Sequence, residues 1–298
     1  MPRAIAPGEV GRVGGLGPGH VLDALAQVEQ GMVFDLDAGR FVGMPQWQGH
    51  PTFLLTSFRT PQGSRHDGDI ELLAPQGNAV DFRLHTELMV TGMHIGTHID
   101  ALNHAACGSD GDQFFGGYGP SDVGDFGPQR ADAASIPPII VRAAVLDMAA
   151  VRGTEQLPPG TAITTADLQR AESTQGAVPE GGAALLRTGL MRTWPDPARF
   201  AAAAGAGIDT SAARWLADER GVVLVGSDTP TVEQVPSADA SNPHPVHDLL
   251  LRQLGIHLLE NLWLEDIVAA QHRTATLICL PLKVEGATAS MVRPIAVV

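Results

Sequence analysis

Apolar residues recur along the chain with two periods, and the alternation between them predicts the secondary structure. Spacings of three to four residues indicate amphipathic helices, and short runs rich in β-branched residues indicate strands. The predicted helices cover residues 21–30, 166–173, 198–204, 211–220 and 245–254. The predicted strands cover residues 32–36, 84–91, 139–146, 183–187 and 222–225. Strands that alternate with helices favour an α/β fold with a mixed β-sheet and flanking helices.

Capping residues and glycines set the expected boundaries. Thr165 is the expected N-cap of the 166–173 helix, and Asp209 or Thr210 caps the 211–220 helix, which Gly221 ends. Residues 1–20 are rich in glycine and are expected to form a flexible amino-terminal segment. Because no internal repeat or interdomain linker is apparent, residues 21–298 are predicted to form one domain.

Composition narrows the classes of partner. The formal net charge of −14 argues against a nucleic-acid or anionic-membrane partner, since either would repel the protein. A small-molecule substrate fits better. Cys107 and Cys279 are the only cysteines, which excludes a disulfide framework and fits a reducing compartment. No signal-peptide-like run or stretch of eighteen apolar residues is present, so a cytoplasmic protein is expected.

The densest chemistry lies between His94 and His104, where three histidines and Asp100 fall within eleven residues. Three imidazoles and one carboxylate are the ligand set of a catalytic Zn²⁺ or Mn²⁺ site. In an extended strand His94 and His98 would lie about 13 Å apart, too far to share an ion. We therefore expect a compact bend from His94 to His98, with Gly96 in the bend, and an extended step to Asp100. The alternative is a polar loop whose histidines satisfy neighbouring groups.

A second candidate group is Glu260, which stands among leucines in the segment 256–262. A carboxylate in apolar surroundings is costly to bury unless it is paired, so Glu260 is expected to face a cation, a proton donor or a metal ion. A solvent-facing glutamate is the alternative.

Aromatic residues are only 5% of the chain and cluster in two loops. Trp47 and Phe53 are candidates for a lid over a small-molecule pocket, and Phe114 and Phe115 are suited to lining it. The alternative is that these side chains belong to the core. His50 and His66 have no partner at metal-binding spacing, and they are expected at the surface or behind the site.

The segment 94–104 resembles the HxGTHxDxPxH signature of the cyclase family of metal-dependent hydrolases, which includes bacterial kynurenine formamidase and isatin hydrolase. The segments 34–36, 43–47, 186–189 and 259–262 are similar to further motifs of that family, so the resemblance covers most of the chain from residue 21. It implies a cyclase-like (swivelling β/β/α-type) fold and a homodimer or homotetramer.

The resemblance also implies roles for individual residues. His94, His98 and Asp100 would bind the principal metal ion, His247 and Glu260 would complete a second metal position, and His104 would be the catalytic general base or acid. Glu260 would thus be both a ligand and a catalytic group. Two departures stand out: Leu102 replaces the signature proline, and His247 and Glu260 are thirteen positions apart, one more than expected for the formamidases.

The interpretation that follows is metal-assisted hydrolysis of a small, cyclic or aromatic amide, lactam or ester, with a C–N bond as the first expectation and His104 as general base. Two alternatives stay open. The first is a metal-dependent cyclase or lyase, in which His104 moves a proton without attack by water. The second is a metal-binding protein without catalysis.

Overall fold

A computed structural model describes residues 4–68, 76–108 and 113–298 of the chain. In chain order its strands are β1 Val33–Asp35, β2 Leu54–Arg59, β3 Thr86–Val90, β4 His98–Asp100, β5 Val123–Gly124, β6 Gly127–Pro128, β7 Ile139–Asp147, β8 Ala162–Ile163, β9 Ala183–Arg187, β10 Gly207–Ile208, β11 Leu224–Ser227, β12 His257–Glu260, β13 Thr274–Cys279, β14 Ala289–Met291 and β15 Ile295–Val297.

The helices lie mostly between the strands of the carboxyl-terminal two thirds. The α-helices are α1 Pro18–Ala26, α2 Pro61–Asp67, α3 Met148–Val151, α4 Thr165–Gln175, α5 Pro197–Ala203, α6 Thr210–Glu219, α7 Pro245–His247 and α8 Glu265–Ala269. A π-helix, Asp248–Gln253, continues directly from α7. Short 3₁₀ turns cover Pro7–Glu9, Gly11–Gly15, Phe115–Gly117, Pro120–Asp122, Ala133–Ser135 and Leu190–Thr193.

One nine-stranded mixed sheet organises these elements, in the order β1-β15-β13-β7-β9-β11-β12-β4-β14. The central neighbours β7, β9, β11 and β12 run parallel, and every pairing outside them is antiparallel. The predicted α/β fold with a mixed sheet and flanking helices is therefore confirmed. Strand β4, which carries His98 and Asp100, is paired on both sides, so these two residues have a fixed backbone.

Both faces of the sheet are covered by apolar side chains. Consecutive strand residues point to opposite faces, and accordingly Leu185 packs in one buried cluster and Leu186 in the other. The same division separates Leu258 from Leu259 in β12. Strands buried on both faces read as continuous apolar runs, which is why the pattern over residues 139–146 and 183–187 predicted strands well.

Several predicted boundaries need correction. The side chain of Thr164, not Thr165, caps α4 by accepting a hydrogen bond from the Asp167 amide. Asp209 is the cap of α6. The first helix begins at Pro18, inside the segment expected to be flexible, and Glu9 and Val13 of that segment are buried.

Other differences concern element type. The predicted 245–254 helix is a short α-helical turn followed by a π-helix. The predicted strand over residues 84–91 forms β3, which pairs with β2 in a separate two-stranded ribbon outside the main sheet. Within residues 4–68, 76–108 and 113–298, no helix has the length and apolar character needed to cross a membrane.

Candidate metal centre

The backbone between His94 and Asp100 has the predicted bend. Gly96 adopts a left-handed conformation (φ 58°), and the chain becomes extended in β4 immediately afterwards. The guanidinium of Arg40 donates hydrogen bonds to the carbonyl oxygens of Ile95 and Thr97 and forms an ion pair with Asp37. Arg40 therefore stabilises the bend through the carbonyl groups on both sides of Gly96.

Strand pairing brings Glu260 to the histidines. Because His98 and Asp100 are two apart in β4, their side chains share one face of the sheet. Glu260 of β12 is the direct cross-strand partner of His98. The Nε2 atom of His98 lies 3.3 Å from Glu260 Oε2 and 3.6 Å from Asp100 Oδ1. His98 and Glu260, which are 162 positions apart in the sequence, thus meet through the register of the sheet.

His247, in helix α7, also contacts the carboxylates of Asp100 and Glu260. Its Nε2 atom lies 3.4 Å from Glu260 Oε1 and 3.8 Å from Asp100 Oδ2. In the π-helix that follows, the Leu254 amide donates to the Leu249 carbonyl, five residues earlier. A π-helical turn takes up one residue more than an α-helical turn. The thirteen-residue spacing from His247 to Glu260 is therefore compatible with both side chains reaching the centre.

His94 and His104 lie on the other side of Asp100. Nδ1 of His94 is 3.0 Å from Asp100 Oδ1, and its Nε2 is 2.9 Å from the hydroxyl of Thr288. The rings of His94 and His104 stack with centroids 4.0 Å apart. Burial lowers the pKa of His104 to about 4, so its imidazole is neutral near pH 7.

The donor set fits a divalent cation. Both oxygens of Asp100 and Oε1 of Glu260 are buried and accept no hydrogen bond of good geometry from the described part of the chain. Buried carboxylate oxygens are rarely left without a partner. The Nδ1 atom of His98 is 2.8 Å from the Gly96 carbonyl, which can only accept, so the lone pair of the neutral ring lies on Nε2. His94, His98, Asp100, His247 and Glu260 therefore offer donors of the kinds that bind a metal ion. The donor atoms of His98, Asp100 and Glu260 lie within 4.8 Å of one another, and so do those of His94, Asp100 and His104.

This centre opens into a cavity of about 640 Å³. Among the predicted substrate-binding residues, Trp47 lines the cavity and is 69% exposed. Phe53 does not, because it is 4% exposed and packs with Met44 and Ile95 in a buried cluster.

The two aromatic residues of the second loop also need correction. Phe114 and Phe115 are absent from the lining of this cavity. Phe115 instead packs against the apolar cluster on the helix-bearing side, close to Gly255. The remaining cavity wall is supplied mainly by residues to which the sequence pattern assigned no individual role, namely Pro45, Gln46, Gln48, Ile95, Pro197, Phe200, Ala201, Ala204, Pro230, Thr231, His244 and Asn261.

Two polar residues beside the centre, His50 and Glu233, were not predicted to be part of it. His50 lines the cavity with Nδ1 3.1 Å from the His94 carbonyl, whereas His66 is exposed. Glu233 is buried and binds His247. It stands between Val232 and Gln234, with Val235 one residue further, which is a weaker form of the signal that pointed to Glu260.

A buried group of imidazole and carboxylate donors beside an α/β sheet, opening into a cavity of ligand size, is typical of metal-dependent enzymes. The chain belongs to the Cyclase family, since the family model described as "Putative cyclase" matches residues 18–234. The matched region contains His94, His98, Asp100 and His104 and ends before His247.

Individual relatives agree with this family. Kynurenine formamidase of Bordetella petrii is 42% identical to this chain over 81 residues. These residues are 27% of this chain and 34% of that protein, so the match spans about a third of the curated relative. The structure described as a novel cyclase has a TM-score of 0.81 at 24% identity and covers 97% of this chain and 96% of its own. Isatin hydrolase A of Ralstonia solanacearum has a TM-score of 0.68 at 24% identity, with 93% and 95% covered. These two structures share the fold.

Proposed function

We propose that the protein is a metal-dependent hydrolase that cleaves a small cyclic or aromatic amide, lactam or ester. The observation that carries this proposal is a group of three imidazole and two carboxylate side chains at one end of a cavity, in which buried carboxylate oxygens accept no hydrogen bond of good geometry from the described residues. The similarity to a kynurenine formamidase and the fold shared with an isatin hydrolase support it.

The residues of the centre divide into two roles. His94, His98, Asp100, His247 and Glu260 would hold the ion, and Zn²⁺ or Mn²⁺ at this position would supply a water of lowered pKa and polarise a substrate carbonyl group. His104 is neutral and faces the cavity, so it takes the proton from the attacking water and returns it to the leaving nitrogen or oxygen. Strand pairing holds Glu260 opposite His98, so its carboxyl group lies beside the proposed reacting groups.

The cavity favours an uncharged ring. Its volume of about 640 Å³ lies within the usual range of small-molecule sites. Phe200, Ala201 and Pro197 give it an apolar wall, and Trp47 stands at its edge. No lysine or arginine is among the lining residues that the structure describes, so a substrate carboxylate would have no side-chain cation to pair with.

The direct test is turnover of a panel of isatin, N-formylkynurenine, simple lactones and formanilide by protein loaded with Zn²⁺ or Mn²⁺. The reaction is run in water labelled with ¹⁸O. Hydrolysis places one labelled oxygen in the new carboxyl group, and removal of the metal by a chelator abolishes the reaction. Turnover without incorporation of label would favour the cyclase or lyase reaction, and bound metal without turnover of any compound would contradict the proposal.

A further inference from the structure

Glu233 lies behind the metal centre and contacts it only through His247. Its side chain is 1% exposed, and one oxygen, Oε1, accepts hydrogen bonds from Nδ1 of His247 and from Nδ1 of His244 at 3.0 Å. The other oxygen accepts from the Val246 amide at 2.8 Å. We infer that Glu233 is a positioning residue that selects the tautomer and fixes the orientation of His247 for metal binding.

The tautomer follows from the contacts. An ionised carboxylate is an acceptor only, so the Nδ1 atom of His247 carries the proton that it shares with Glu233. The lone pair of the neutral ring is then on Nε2, the nitrogen that faces Glu260 and Asp100. This inference rests on the metal centre of the proposed function, and it adds a residue to which neither the family resemblance nor the donor geometry gave a role.

The residue before Glu233 has an unusual backbone conformation. The preceding residue, Val232, has a positive φ of 57° and is fully buried. A β-branched residue in the left-handed region is strained. Directly after this turn, the Glu233 carboxylate accepts a hydrogen bond from the Val246 amide in the helical turn Pro245–His247.

A hydrogen-bonded carboxylate of this kind acts through the ligand it orients. Loss of such a partner lowers metal affinity by about 10- to 100-fold in metal sites generally. Glu233→Ala is therefore expected to weaken Zn²⁺ binding within that range. Glu233→Gln keeps an acceptor oxygen and the size of the side chain, so it is expected to recover most of the affinity.

The experiment is a titration of the metal-free, folded protein with Zn²⁺ in competition with a chromogenic chelator. It compares the wild type, Glu233→Ala, Glu233→Gln, His247→Ala and the double variant Glu233→Ala/His247→Ala. Because Glu233 acts through His247, its removal in the His247→Ala background is expected to change the affinity by less than about threefold. His244→Gln is the matched control, since it removes the other histidine donor to the same oxygen and leaves the His247 contact in place.

Two results would overturn the inference. One is an unchanged Zn²⁺ affinity in Glu233→Ala. The other is an equal loss of affinity on removing Glu233 with and without His247, which would mark a general effect on folding. Turnover is not part of this readout. An intact affinity cycle in a protein that hydrolyses no substrate would therefore contradict the proposed function and leave the role of Glu233 standing.

Discussion

Replacement of Gly96 by alanine tests whether the bend between His94 and His98 builds the metal centre. Gly96 has φ 58°, and a Cβ at this position would lie 3.1 Å from Cγ of Arg40. Arg40 cannot move away freely, because it is bound to Asp37 and to backbone carbonyls of the bend. The Gly96 carbonyl also accepts hydrogen bonds from His98 Nδ1 at 2.8 Å and from Asn261 Nδ2 at 3.2 Å.

Two effects of different size follow for Gly96→Ala. A non-glycine residue in the left-handed region costs about 1–2 kcal/mol, which lowers the melting temperature by roughly 2–8 °C at about 2–4 °C per kcal/mol. Displacement of the carbonyl that orients His98 is expected to lower Zn²⁺ affinity by about 10- to 100-fold.

Gly153→Ala provides the matched control. Gly153 has φ 68°, and a Cβ there would meet nothing within 4 Å. It carries the same backbone cost, so its thermal unfolding should shift by a similar amount while its Zn²⁺ affinity stays at the wild-type value. The assay is differential scanning fluorimetry of the metal-free proteins together with Zn²⁺ titration. Wild-type Zn²⁺ affinity in Gly96→Ala would refute the reasoning.

Three further predictions concern the cavity, the core and pH. Trp47→Ala is expected to raise KM for ring substrates about tenfold, equivalent to about 1.4 kcal/mol of binding free energy, and to leave stability unchanged. Phe53→Ala is expected to lower the free energy of unfolding in urea by about 3–5 kcal/mol. Arg187 is 6% exposed and lies between two carboxylates, so Arg187→Met is expected to lower the free energy of unfolding by about 3–5 kcal/mol. Arg192 forms an exposed ion pair, so Arg192→Met is expected to lower it by under about 1 kcal/mol. Equal losses for the two variants in the same unfolding assay would contradict this prediction. Burial raises the pKa of Asp228 from 3.8 to about 6. The stability that this group contributes is therefore present below about pH 4 and is lost as the pH rises through about 6. The free energy of unfolding of the wild type, relative to that of Asp228→Asn, should fall by up to about 3 kcal/mol between pH 4 and 7. A difference that does not change with pH would refute this last prediction.

The sequence pattern predicted best where local physics decides the structure. The apolar runs of β7 and β9 are buried on both faces, so their composition alone marks them as strands. The bend at Gly96 could be predicted because the reach of two imidazoles required it. The α/β class followed from the alternation of elements.

Sheet register and loop packing could not be predicted in this way. The pairing of His98 with Glu260 depends on β4 and β12 being neighbours, which no local pattern encodes. Trp47 and Phe53 have similar local surroundings, yet one is exposed at the cavity and the other is in the core. The contact between Glu233 and His247 joins residues fourteen positions apart, and the sequence contained only the weak signal of a carboxylate near valines.

The measurement that tests the central claim most directly is metal content and turnover determined on the same samples of His98→Ala and His104→Ala. We expect His98→Ala to lose the metal and the reaction together. We expect His104→Ala to retain the metal and lose turnover by about 10²- to 10⁴-fold, the usual contribution of a general base. Wild-type turnover in His104→Ala, or loss of its metal along with the activity, would contradict the division of the centre into ligands and a proton-transfer group.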